Sequence, residues 1–402
     1  MYRACFFLGV ALTLAAATAV ERRPEPLRQR ELTFELGPKP PTPELAARSD
    51  PGFALARRFT TVRQLSQILS AVLATAVLAW LGLSGAGRRV AGWARGRGFA
   101  ELAVTASAVG CVVGLCFLAG EIARYVAARQ AGADPALWAS LVRALGVGVG
   151  AGALSLASFG ARAAWARSWW FVVTAAVIAA TALWYAFAGR YPHLSEPAGG
   201  HLAERARYLT TQYEMPAYSV AVYDRGPARR LIAAHVVPQS RRIVVTGGAT
   251  ALDRYETEVL LVGAVAEAAP AGWSLTAAGA LIAFMASLLF AESAAAVVAR
   301  RRGAKAVPAA SLPVMAAAFA VFWLAVSPLF LAWNRAHVRA ADEDAIRRTR
   351  KPIAATTLYF HEAAANFVAD RPHAILHVLA DASPSPAERA AAARRLRDEL
   401  AK

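Results

Sequence analysis

Seven histidines are the obvious candidates for chemistry: His193, His201, His235, His337, His361, His373 and His377. His373 and His377 are four residues apart. On a helix they would share a face, the spacing that lets two imidazoles reach one divalent cation. His361-Glu362 reads like the start of an H-E-x-x-H pair, in which the glutamate takes a proton from a metal-bound water. Ala365 stands where the second histidine would be. A relocated zinc centre built from His361, His373 and His377 is one reading. The plainer reading, surface and packing histidines in a helical tail, is preferred, with no metal cofactor expected unless ligands have moved. Glu267 has two readings as well, a displaced catalytic base or a carboxylate at a membrane boundary, and the second is preferred. Glu292 is read as the marker of a span's end. The three cysteines, Cys5, Cys111 and Cys116, form neither a disulfide framework nor a metal knuckle.

The elements that must position these side chains are mostly apolar. Hydrophobic residues make up 57% of the 402 positions and charged residues 18%. Charges are absent from 64–87, 102–120, 144–161, 168–189, 268–291 and 306–334. Each stretch is about 18 residues or longer, enough to cross the hydrocarbon core as a helix, and helices satisfy their own backbone in lipid. Six spans and a mainly α membrane protein are expected. The net charge of +17 then need not mean nucleic acid, which is excluded as a partner. Arg88, Arg89, Arg95 and Arg97, then Arg162 and Arg167, then Arg300, Arg301, Arg302 and Lys305 fall in three short connections on one side of an alternating bundle. The positive-inside rule makes that side cytoplasmic. Arg57, Arg58 and Arg63 flank the first span on the other side and run against this assignment.

Residues 1–20 have the form of a signal peptide or signal anchor, with Arg3 before an apolar run and a small-x-small site at Ala17-Thr18-Ala19. A Pro/Arg-rich lead-in covers 21–63, and a four-span bundle 64–189. Residues 190–270 are read as an α+β part: a helix over 201–213, strands at 218–223, 231–237 and 242–245, and a helix from Asp253 to Ala269. Two spans occupy 271–334, in which Pro313 and Pro328 are expected to bend the helix. A helical part fills 335–402. Ser385-Pro386-Ala387-Glu388 predicts a capped helix start. Trp169-Trp170 suits an interfacial aromatic belt.

From about residue 55 to the end, this order resembles the type I CAAX prenyl protease family, integral-membrane zinc metallopeptidases. The resemblance is carried by Gly120-Glu121-Ile122 through Trp138, Tyr223-Asp224, Val236-Val237 with Arg241-Arg242-Ile243-Val244-Val245, Glu258-Val259-Leu260, Ser327-Pro328-Leu329, Asn334, Ala340-Ala341-Asp342 and Pro384-Ser385-Pro386-Ala387-Glu388-Arg389. It implies a small zincin-like α+β domain on the multi-span helical bundle. It also places Val265 and Ala266 where the family has its first ligand histidine and catalytic glutamate, Ala269 at the second histidine and Val338 at the third ligand. Asp342 is retained. The substrate-holding strand has Ala234 where the family has an asparagine, with His235 beside it as a further substrate-binding candidate, and Ser383 replaces the histidine of the closing motif. Valine and alanine offer no lone pair to zinc.

The expectation is a catalytically inactive homologue, a pseudoprotease, that binds or regulates a membrane protein or a lipidated peptide. Its protease-like domain would lie on the extracytoplasmic side of a bacterial-type plasma membrane. An active metalloendopeptidase with relocated ligands is the first alternative. A small-solute transporter is the second, weakened by the lack of inverted half-repeats and paired intramembrane charges.

Overall fold

The computed structural model describes residues 51–94, 98–130, 137–165, 168–188, 196–197, 202, 204, 208–209, 218–223, 231–237, 242–268, 270–304 and 307–401. The signal-like stretch, most of the lead-in, His193, His201, Ala269 and most of the helix expected over 201–213 lie outside them.

The chain is a mainly α-helical membrane protein. Helices α1 (Pro51–Leu83), α2 (Ala86–Gly92), α3 (Gly98–Gln130), α4 (Leu137–Ala164) and α5 (Trp169–Ala188) come first. Among the described residues, α1, α3, α4 and the later α7 (Pro270–Arg301) and α8 (Leu312–Thr349) are long and apolar enough to cross a bilayer. The remaining expected span, at 168–189, coincides with α5, a helix of 20 residues whose described apolar portion, Trp169–Ala179, is shorter. Large apolar side chains such as Leu69, Leu115, Leu145, Ile282 and Leu329 face outward from the bundle, which suits a lipid solvent rather than water.

Without a hydrophobic force between helices in lipid, close packing must hold the bundle. Helices α3 and α4 achieve this with facing glycines. A Cβ placed on Gly148 would lie 2.7 Å from the Gly110 carbonyl oxygen and 2.9 Å from the Gly114 Cα. At the end of the bundle bearing α2, Arg302 donates to the Gly82 and Leu83 carbonyls at 2.8 and 2.7 Å, capping α1. There too Glu292 accepts from Arg162 Nε at 3.0 Å and from Trp169 Nε1 at 2.6 Å. Glu292 therefore sits within α7 as a cross-link, not at its end. Trp169 is fully buried and not a belt residue. Pro313 opens α8 instead of bending it, and only Pro328 lies inside that helix.

At the opposite end, the α+β cap is built from β1 (Glu196–Pro197), β2 (Ser219–Tyr223), β3 (Ala234–Val237), β4 (Arg242–Thr246), a 3-10 turn at Gly247–Ala251, α6 (Arg254–Glu267), the cap-side end of α8, α9 (Pro352–Ala365), α10 (Ala374–Ala380) and α11 (Pro386–Leu400). The strand order is β1-β2-β4-β3. β2 and β4 are parallel, with Val220 opposite Ile243, while β3 runs antiparallel along β4 at the sheet edge, with Ala234 opposite Val245. Val220, Ile243 and Val245 pack on Val259, Leu261, Ile346, Leu358 and Tyr359 from the helices. Two capping boxes start α6 and α11: Asp253 with Glu256, and Ser385 with Glu388.

Helix α1 begins at Pro51, so residues 51–63, read as the end of the lead-in, are helical. They run beside the cap. Arg57 pairs with Asp370 at 3.1 Å, Thr60 donates to the Phe367 carbonyl at 3.2 Å, and Arg63 pairs with Asp381 at 3.0 Å. Two of the three arginines that ran against the charge assignment, Arg57 and Arg63, are ion-pair partners of the cap.

Candidate functional site

Helices α6 and α8 pack on each other and are pinned at two places. A Cβ on Gly263 would sit 3.9 Å from Ala345 Cβ. One helical turn on, the His337 imidazole Nε2 hydrogen-bonds the Glu267 carbonyl oxygen at 2.9 Å. Val265 and Ala266 on one helix, and Val338, Ala341 and Asp342 on the other, fall in the stretch bounded by those two contacts. Val338, Ala341 and Asp342 are buried, Val265 and Ala266 half-buried, and Glu267 exposed. Ala269 lies outside the described residues.

Beneath this stretch is a charged cluster. Arg389, at the start of α11, grips Asp342 with two hydrogen bonds of 2.8 Å and reaches Glu362 of α9 at 2.5 Å. Its guanidinium carbon lies 3.9 Å from the centre of the Tyr359 ring, a stacking that suits a partly desolvated arginine. The capping box at Ser385 fixes where α11 begins, and so where Arg389 points. Burial pushes the Glu362 carboxyl above its ordinary value, and Arg389 offsets only part of that. Burial, reinforced by the Asp342 charge, drives the Tyr359 phenol well above its ordinary value. Burial opposes the Arg389 charge, yet Glu362 and Asp342 outweigh it and hold the guanidinium well above its ordinary value. The cluster is a locked ion network in which the arginine stays charged.

The remaining candidates are dispersed. His361 pairs with Glu256 at 3.0 Å. The Glu256 hydrogen bond is the main cause that raises the imidazole pKa, and the carboxyl is lowered despite its burial. His377 is buried, 2.9 Å from Asp381 through Nδ1. His373 is exposed at the N-cap of α10. Among the described residues no group of three His, Cys, Asp or Glu side chains is placed to hold a metal ion, so His361, His373 and His377 are not brought together. Val265, Ala266 and Val338 carry hydrocarbon side chains, which offer no lone pair to a metal ion. Ala234 is buried in β3 and His235 is exposed on the same edge strand. Ahead of that strand, the Asn366 side chain accepts from the Ile232 N–H at 3.0 Å and donates to its carbonyl at 2.9 Å.

Sequence reasoning took Glu362 only as a failed H-E-x-x-H and missed its pairing with Arg389. The H-E dipeptide was the sole local signal, and a contact across 27 residues leaves none. Tyr359 carried no signal beyond its place on an apolar helix face.

No protein-family model and no curated protein matches the chain. Among solved structures, the crystal structure of S. mikatae Ste24p is similar, with a TM-score of 0.63 over 97% of this chain and 96% of that one at 13% sequence identity. The likeness is one of fold: the multi-span bundle and its cap are arranged as in Ste24p.

Proposed function

We propose that this protein is a pseudoprotease: a peptidase-like membrane scaffold that binds a membrane protein or lipidated peptide and does not hydrolyse it. The observation that carries the reading is the α6–α8 crossing. Hydrocarbon side chains, Val265, Ala266 and Val338, occupy the positions that the resemblance assigns to the metal ligands and base, while the ion network that braces that crossing, Asp342 with Arg389, is kept. A frame kept without its donors fits a role in binding. β3 is a sheet edge, and an extended peptide can add to such an edge through its backbone. We read the cap as extracytoplasmic, because Arg88, Arg89, Arg300 and Arg301 cluster at the far end of the bundle, and excess arginine in short connections favours the cytoplasmic side.

The test is incubation of the nanodisc-reconstituted protein, purified without chelator, with a farnesylated peptide. The expected result is saturable binding, recovery of the peptide intact by mass spectrometry, and far less than one zinc per chain. Cleavage products together with stoichiometric zinc, both lost on His373→Ala and His377→Ala, would replace this reading with that of an active enzyme using relocated ligands.

A further inference from the structure

We propose that α10 is an interfacial foot, a short helix of the cap that lies on the bilayer with its apolar face in the boundary between headgroups and acyl chains. Its depth is fixed twice over. On α1 the last charge before the uncharged span is Arg63, and it pairs with Asp381 at the C-terminal end of α10. The next residue, Gln64, fully buried, also donates to Asp381, at 2.5 Å. On α8 the first charge after the uncharged span is Arg335, and it donates to the Asp381 carbonyl at 2.6 Å and the His377 carbonyl at 3.2 Å. Its neighbour Asn334 donates to the Ala382 carbonyl at 2.9 Å. Two independent spans thus tie the same helix end to the level at which hydrocarbon gives way to headgroups.

The side chains of α10 fit that place. Ile375, Val378 and Leu379, spaced i, i+3, i+4 and so on one face, are 63%, 47% and 39% exposed, whereas His377 on the opposite face is 9% exposed. In water such a face on a seven-residue helix would be a liability. Helix α8, which packs on α10, also turns apolar side chains outward, Leu329 being 69% and Trp333 49% exposed, and Trp is favoured at that depth. Arg371 and His373, both exposed, immediately precede the helix, where cationic side chains suit lipid phosphate groups. Lipid is the occupant that this depth and these outward apolar side chains point to. The foot would hold the cap at a set height and tilt over the bundle, independently of whether the cap binds a peptide.

Site-directed spin labelling tests this. In a background carrying Cys5→Ala, Cys111→Ala and Cys116→Ala, single labels are placed through Ile375→Cys, Val378→Cys and Leu379→Cys, with Leu329→Cys and Glu399→Cys as references for lipid and water. The full chain is reconstituted in nanodiscs of phosphatidylcholine and phosphatidylglycerol. The ratio of collisions with oxygen to collisions with a water-soluble nickel complex is expected to be several-fold higher at the three foot positions than at Glu399, and close to that at Leu329. A ratio like that of Glu399 at all three positions would overturn the proposal. So would shielding from both reagents, since that would mean a protein surface, not lipid, covers the face. The two references, read in the same background, report that the fold is intact.

Discussion

Arg389→Met is the perturbation that most directly probes how the cap is braced. The substitution keeps the aliphatic length and removes the charge. It breaks the two 2.8 Å bonds to Asp342 and the 2.5 Å bond to Glu362, and leaves two carboxylates that are only 10% and 14% exposed without a counter-charge. Removing one partner of a buried ion pair costs about 3–5 kcal/mol, mostly through the charge left behind. Partial exposure places this case near the lower end, about 3 kcal/mol. At roughly 2–4 °C per kcal/mol that is a fall of about 6–12 °C in the apparent midpoint of cap unfolding. The loss must depend on pH. The folded-state pKa of Glu362 is already raised by burial, and it rises further once Arg389 is gone. A raised carboxyl contributes its stability below the unfolded value and loses it as pH rises through the folded value. The deficit of the variant is therefore expected to be large at pH 7 and to shrink as pH falls toward 4.5. Arg389→Lys, which keeps the charge but not the two-pronged geometry, is expected to fall between. Thermal unfolding in detergent, with Arg397→Met as the exposed reference, reads all three. Arg397 pairs with its neighbour Asp398, both more than half exposed, and about 0–1 kcal/mol is expected there. An Arg389→Met midpoint equal to that of Arg397→Met at pH 7 would refute the reasoning.

Other perturbations have equally definite outcomes. Gly148→Ala puts a Cβ 2.7 Å from a backbone oxygen that cannot step aside, so α3 and α4 must separate. A loss of about 1–3 kcal/mol is expected from overpacking, seen as a lower midpoint in detergent, while Gly92→Ala, with nothing within 4 Å, leaves it nearly unchanged. Ser385→Ala removes the cap of α11 and should cost about 1 kcal/mol, with Arg389 displaced along with the helix start. The Glu256–His361 pair sets a pH signature. The folded pKa of His361 is raised above 6.5, so its contribution is complete below 6.5 and lost as pH rises through the raised value. That of Glu256 is lowered beneath 4.5, so its contribution is complete above 4.5 and lost as pH falls through the lowered value. The midpoint difference between the native chain and His361→Gln should peak between those two values; a difference that grows above pH 7 would count against the pair.

Much of the fold was legible because its causes are local. Uncharged runs mark the spans wherever a helix must hide its backbone from lipid, and Asp253 and Ser385 announce helix starts by spacing alone. β-branched residues at 219–223 and 242–246 gave the two central strands. The places where reading failed involve partners far apart in the chain. Arg57 and Arg63 look like loop charges until Asp370 and Asp381, over 300 residues away, are set beside them. Glu292 looks like a span end until Arg162 and Trp169 converge on it. Pro313 looks like a kink until the 3-10 turn at Ala309–Ser311 hands over to α8 at that point. The hydrocarbon side chains at Val265, Ala266 and Val338 could be read from the sequence; the burial of Val338 and the Arg389–Glu362 pairing below it could not.

The central claim concerns donors, and restoring them tests it most directly. Zinc content should be measured by mass spectrometry after equilibration with zinc and gel filtration, for the native chain and for a variant carrying Val265→His, Ala266→Glu, Ala269→His and Val338→Glu. The account expects little zinc on the native chain and close to one ion per chain on the variant. A native chain that retains one zinc, or a folded variant that takes up none, would contradict it.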